Sequence, residues 1–506
     1  MRSKKAFYGS ITSLVYQVIT VVCGLILPRL ILVNFGSSYN GLTSSITQFL
    51  AGISLLKAGI SGVAKAALFA PLARGDDNEI SSIINATQCF MRRIAIIFAV
   101  FLLVFASLYP FLVSDHFDWI FSFTMVLILG ISTFAQYYFG VTYSLLLDAD
   151  QKTSVVNIIQ IGTTLLNTLV AVILLLCGFG IHMVKLGSAL VYALNPLAIN
   201  LYVRRYYRID KTVAPNNNLI KQRWDAFAQQ VAFFVHNNTD VMVLTILSTI
   251  KEVSVYTVYN YIVINLRNFL VSIVNSFASA FGDMMAKGET KLAEENLKVY
   301  ELIVFMSSSI FYSVAAVMIV PFVLLYTRNV VDANYNRRIF SILIIIAGAF
   351  SCYRIPYKTI VDAAGHFKQM RNGAIFEAAT NITLSLLLVV PFGLIGVAIG
   401  TIVATAIRAT QYAVYLSKTL IKRSRFRYIK HVALSMSIIM LASLFGQELL
   451  FIKINSFVNW ILGAACTFCI VSLFTFGCYW MFYSKDMKML YKKTQNMLRR
   501  KISNAH

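Results

Sequence analysis

Acidic residues are scarce in this chain: Asp and Glu together number 21 of its 506 residues, against 44 Lys and Arg. Charge of either sign makes up only 13% of the sequence, while apolar residues make up 58%. Soluble domains carry about 25% charged residues, so a large water-soluble enzyme is excluded. Histidine is also sparse, with six residues and no HExxH or comparable ligand spacing, so neither a metal site nor a cofactor is expected. No polar stretch is long enough to fold as a domain outside a membrane. Of the seven cysteines, Cys466 and Cys469 have CxxC spacing, but the apolar residues around them offer no polar support for redox or zinc chemistry, and both are expected to be buried hydrophobes.

What the chain does have is long apolar stretches, with a mean hydropathy of +0.72. A transmembrane helix needs roughly 20 apolar residues. Fourteen such spans fit, at residues 11–34, 42–64, 94–114, 119–147, 153–177, 182–203, 226–248, 255–281, 300–326, 339–363, 373–391, 394–417, 432–452 and 456–484. The sequence therefore predicts an all-α integral membrane protein. With both termini cytoplasmic, the cytoplasmic tails and loops hold 32 of the 44 Lys and Arg and the external loops 5, which sets the orientation in the cell (inner) membrane. The formal charge of +23 gathers at span ends, where anionic membrane lipids account for it, so nucleic acid is not an expected partner. The basic start Met1–Lys5 leads into an apolar run too long for a signal peptide, which reads as an uncleaved first span.

An internal repeat is visible. Gly180-Ile-His-Met-Val184-Lys-Leu-Gly187 aligns with Gly393-Leu-Ile-Gly-Val397-Ala-Ile-Gly400 at an offset of 213 residues. Leu166-Asn167-Thr168 aligns with Thr380-Asn381-Ile382, and Asp148-Ala149 with Asp362-Ala363, both at 214. The shared register points to duplication of a six-span unit in parallel orientation. Two pseudo-symmetric lobes are expected at residues 1–210 and 211–420, followed by two additional helices and a basic cytoplasmic tail at 421–506. The polar stretch Arg204–Arg223, with Pro215-Asn-Asn-Asn218, has linker composition.

Several segments carry a family resemblance. They are Pro28-Arg29, Phe35-Gly36-Ser-Ser-Tyr-Asn-Gly41-Leu, Lys57-Ala-Gly59-Ile-Ser-Gly62, Leu72-Ala73 and the amphipathic stretch Glu79–Arg93. Leu145-Leu-Leu-Asp148-Ala-Asp-Gln-Lys152, Asn238-Thr-Asp240 and Val255-Tyr-Thr-Val-Tyr259-Asn continue the series. Through them the chain resembles the flippases of the multidrug/oligosaccharidyl-lipid/polysaccharide exporter superfamily, and among these the polysaccharide repeat-unit flippases. The resemblance implies two six-helix lobes forming a V-shaped cavity, and movement of lipid-linked sugar between leaflets by alternating access. It also implies a cavity role for Arg29, Lys57 and Arg267, because the lipid II flippase of the superfamily has functional basic residues in the same three spans. The local patterns differ, and Lys stands in span two where that flippase has Arg.

Seven cations lie within spans: Arg29, Lys57, Lys185, Arg267, Arg354, Lys358 and Arg408. A charge at membrane depth is costly and usually faces a polar pathway. A lipid diphosphate must be hidden from hydrocarbon, and Arg can grip its oxygens as a two-pronged fork. The candidate substrate-binding cations are Arg29, Lys57, Arg267, Arg354 and Lys358. For Arg29, snorkelling toward the span end is the alternative, and it suffices for Lys185. Arg354, Lys358 and Asp362 follow at one-turn intervals, so a structural salt-bridge ladder competes there with substrate contact. Asp240 and Glu377 are intramembrane acids, suited to ion coupling or to satisfying a neighbouring cation. Tyr256, Tyr259 and Tyr261 are candidates for stacking on sugars.

These features predict a non-enzymatic transporter. It would carry an undecaprenyl-diphosphate-linked oligosaccharide from the cytoplasmic to the outer leaflet for O-antigen, capsule or exopolysaccharide assembly, alongside a polysaccharide polymerase and glycosyltransferases. A lipid II flippase and a multidrug antiporter of the same superfamily are the alternatives. An antiporter for cationic drugs calls for an acid-rich cavity, and a sugar-lipid polymerase calls for a large external loop; neither feature is present.

Overall fold

The computed structural model describes residues 2–52, 54–215, 238–274, 276–421, 423–446, 448 and 453–503. Among these residues the protein is entirely helical. Helices satisfy their own backbone hydrogen bonds, the condition for crossing a lipid core. Twelve are long and apolar enough to do so, and the chain is a multi-pass membrane protein. Of the other two expected spans, one is divided between two helices and one lies partly outside the described residues. Residues 42–64 are divided between α2 (Ser37–Ala51) and α3 (Ser54–Arg74), with Gly52 capping the first. Of residues 226–248, the described part is α9 (Asn238–Leu247).

The chain divides into two compact units: Met1–Val255 with Asn329–Ala333, and Tyr256–Arg328 with Asn334–His506. Besides α2, α3 and α9, the first contains α1 (Arg2–Phe35), α4 (Asp77–Leu112), α5 (Trp119–Ala135), a π-helical turn at Gln136–Gly140, α6 (Val141–Ala149), α7 (Thr153–Leu176) and α8 (Ile181–Tyr206). α7 packs against α1 and α8, and α5 against α4 and α8. α1 passes through Pro28 without a break and ends at Gly36, whose φ of +92° is open to glycine at little cost. There Asp332 accepts from Ser37 N at 2.8 Å and Ser37 Oγ at 2.7 Å, supplying the cap that glycine cannot. A Cβ on Gly41 would lie 1.9 Å from the Ile250 carbonyl oxygen, so only glycine permits this approach. Beside it, Asn40 Nδ2 donates to Ser254 Oγ, and Ser45 Oγ bonds Thr245 Oγ1, both at 2.8 Å. Small polar residues thus join α2 to its neighbours beside the buried Leu42, Ile46 and Leu50. Outside the spans, burial raises the Tyr207 phenol, and its bond to Asp150 at 2.5 Å holds the same direction.

α10 (Ile250–Val274) enters the second unit, which continues with α11 (Ser276–Ala286), α12 (Thr290–Tyr326), α13 (Arg338–Tyr353), α14 (Ile355–Ala363), α15 (Phe367–Phe392), α16 (Leu394–Thr419), α17 (Phe426–Phe445), α18 (Phe457–Phe482) and α19 (Ser484–Ser503). The repeat register recurs in the helix starts. α4 begins at Asp77 and α12 at Thr290, 213 later; α8 at Ile181 and α16 at Leu394, also 213. α6 begins at Val141 and α14 at Ile355, 214 later; α7 at Thr153 and α15 at Phe367, also 214. Even the backbone repeats: Gln151 (φ +57°) and Gly365 (φ +73°), 214 apart, are both left-handed.

α17 and α18 pack on α12, where Trp460 Nε1 donates to the Met318 carbonyl at 3.0 Å. Cys466 and Cys469 of α18 are exposed, not buried as expected. Their apolar surroundings face outward from α18, which has few buried residues. Glu301 on α12 is fully buried and accepts from Arg423 through both oxygens and from Arg427 Nε at 3.0 Å. Arg427 Nη2 in turn donates to Asp486 of α19 at 2.7 Å, tying the last helices to α12.

Candidate functional site

In the second unit, a break between α13 and α14 places Arg354 in the interior. Ile355-Pro356 follows, and proline disfavours a helical conformation in the residue before it. Arg354 Nη1 donates to Glu377 Oε1 of α15 at 2.9 Å. The other carboxylate oxygen, Oε2, lies 3.3 Å from Nε of Arg408 on α16. All three side chains are buried, at 9%, 7% and 6% exposure for Arg354, Glu377 and Arg408. Arg267 of α10 is a fourth member: its guanidinium feels the like charge of Arg354 and the opposite charge of Glu377. Three guanidinium groups around one carboxylate give a net charge of about +2 at membrane depth, where screening by water is weak.

The three arginines are not equivalent. Arg408 also donates to the Met370 carbonyl at 3.1 Å, Gln411 Oε1 at 2.6 Å and the Tyr412 hydroxyl at 3.2 Å, and stacks on the Tyr412 ring. It is committed to holding α15 and α16 together. Arg354, with five N–H groups to give, makes one hydrogen bond among the described residues. Arg267 makes none there, and its Nε is buried without a partner. A buried donor left unsatisfied costs about 1–3 kcal/mol, more when charged. The Arg267–Arg354 side of the cluster therefore has spare donors, and an oxyanion can accept them.

The other candidates are placed elsewhere. Lys358 pairs with Asp362 along α14 and its side chain is 49% exposed, as in the ladder reading. Arg29 is half-buried on α1 and Asp240 buried on α9, both in the first unit. Lys57 is on α3, with its side chain outside the described residues. Tyr259 is buried and donates to the Tyr335 carbonyl at 2.7 Å, which leaves its hydroxyl engaged in structure. The sequence reading missed Arg408 as a partner of Glu377 and did not single out Glu301. The repeat offset was the available signal for the first; nothing in the local sequence flagged the second.

Solved structures share this arrangement of helices. The lipid II flippase MurJ, in an inward closed conformation, superposes with a TM-score of 0.71 over 94% of this chain and 99% of its own, at 16% identity. An inward-facing MATE-family multidrug resistance transporter gives 0.60 over 81% and 98%, at 13% identity. The chain shares the helical fold of MurJ and of this MATE transporter. A MOP-superfamily transporter from Pyrococcus furiosus, reported with a binding pocket of reverse polarity that suggests a different function, gives 0.59 over 86% and 97% at 13% identity. No protein-family model matches the chain, and no curated protein matches it significantly in sequence.

Proposed function

We propose that the chain flips a lipid-linked oligosaccharide, attached through a diphosphate to an isoprenoid carrier, from the cytoplasmic to the outer leaflet by alternating access, for surface polysaccharide assembly. The observation that carries this reading is the set of spare donors on Arg267 and Arg354 within a buried cluster of net positive charge. A diphosphate supplies the acceptors, and its negative charge offsets the cost of the buried cations. Arg408 and Glu377 position the site; Arg29 and Lys57 stay candidate substrate-binding cations of the first unit. A cationic drug would be repelled, which argues against the antiporter alternative. A lipid II flippase is the second reading, supported by the fold shared with MurJ. A diphosphate moving outward across an inside-negative membrane is driven by the potential, at about 2.3 kcal/mol per charge per 100 mV. Asp240 is the ion site if an ion also couples.

The test uses proteoliposomes containing labelled isoprenyl-diphosphate sugars, assayed for translocation under a clamped potential. Flipping that depends on Arg267 and Arg354 supports the reading. Transport of cationic dyes without flipping of any lipid diphosphate overturns it.

A further inference from the structure

Away from the arginine cluster, the second unit contains a cavity of about 830 Å³ between α12, α13, the end of α17 and residues 454–455. Val317, Val320 and Leu324 line it from one face of α12, and Ile342 lines it from α13. Arg328, two residues beyond the end of α12, and Arg338, at the start of α13, both line it, at the two helix ends joined by the 329–337 connection. From Val317 to Arg328 the helical rise amounts to about 16 Å, the depth of one leaflet of a hydrocarbon core about 30 Å thick. Cations at the headgroup level above an apolar shaft one leaflet deep match an amphiphile with an anionic head.

We infer that this cavity binds one anionic glycerophospholipid of the surrounding leaflet, with its phosphate between Arg328 and Arg338 and one acyl chain along Val317, Val320 and Leu324. The repeat-related positions of the first unit do not reproduce this lining. At the repeat-related positions in the first unit, Val104 and Phe111 are exposed, at 53% and 69%, and Asp115 stands where Arg328 does. Ser443 and Gly446 at the end of α17, with Ile454 and Asn455, build the fourth wall, so residues beyond the repeat complete the site.

Native mass spectrometry of the full-length protein, delipidated and titrated with phosphatidylglycerol, phosphatidylcholine or inorganic phosphate, tests this. One phosphatidylglycerol should be retained per chain in preference to phosphatidylcholine. R328Q/R338Q should weaken retention about tenfold or more. Val320→Trp should block the shaft, while Val390→Trp, on a surface that is 75% exposed, should not. Thermal unfolding of each variant separates lost binding from lost fold. Equal retention of the two lipids, retention indifferent to R328Q/R338Q and Val320→Trp in folded protein, or binding of phosphate with no lipid retained would each overturn the inference.

Discussion

In the first unit, α7 and α8 are joined by a neutral pair: Asn195 Nδ2 donates to Thr163 Oγ1 at 3.1 Å. The same two places in the second unit, 214 and 213 residues on, hold Glu377 and Arg408, 3.3 Å apart. The helical frame is common to both, and the chemistry at its seam is not. A neutral hydrogen bond of this kind contributes about 1 kcal/mol and leaves no charge to neutralise. An ionised pair in the same place brings large desolvation costs, and here it recruits further cations. Arg354 is one of them. Its counterpart 214 residues earlier is Gly140, at the end of the π-helical turn, where a Cβ would meet that of Pro196 at 2.5 Å. One backbone irregularity therefore serves close helix packing in one half and a buried guanidinium in the other. On the proposed function, the second half is the one whose charges suit an anion.

The strongest challenge to this contrast is deletion of the shared acid. Glu377→Ala strands Arg354 and Arg408 and should cost about 3–5 kcal/mol, read as a lowered thermal midpoint or loss of folded protein. Thr163→Ala, at the equivalent place, should cost only about 1 kcal/mol; equal losses would erase the distinction between the halves. Next in size are Arg267→Ala and Arg354→Ala, which should lower flipping at limiting substrate by about ten- to a hundredfold, from about 1.5–3 kcal/mol of lost charged hydrogen bonding. Arg267→Ala should leave the midpoint unchanged or higher, because it removes an unsatisfied buried donor. A sharper version rebuilds the neutral seam with Arg354→Gly, Glu377→Thr and Arg408→Asn together. That protein should fold and fail to flip; retained flipping would mean the cluster is structural. The smallest effect is expected from Lys358→Ala, a few tenths of a kcal/mol, as for other exposed ion pairs.

Span positions were legible in the sequence because a lipid core demands unbroken apolar length, and the repeat because duplicated helices kept their spacing. Arg267, Arg354 and Glu377 were legible as charges where none is cheap. The pairing of Glu377 with Arg408 was not, since contact depends on how α15 and α16 rotate about each other, and three or four residues of phase change the partner. Lys358 looked like Arg354 in the sequence because helical spacing says nothing about which of two adjacent turns faces inward. Gly52 was read as part of a continuous span, since one glycine in an apolar run breaks no hydropathy pattern.

Glu301 bears on how the protein is made. Its carboxylate lies on α12, yet the arginines that neutralise it, Arg423 and Arg427, are synthesised 122 and 126 residues later. Chain elongation at about 5–20 residues per second separates the two by several seconds at least. During that interval α12 has left the ribosome with an acid lacking its eventual counter-ions. The segment must wait with that turn at the aqueous edge of the membrane, or against the insertion machinery, until α17 arrives. A ribosome stalled before Arg423 should accordingly hold α12 shallower than the finished protein does.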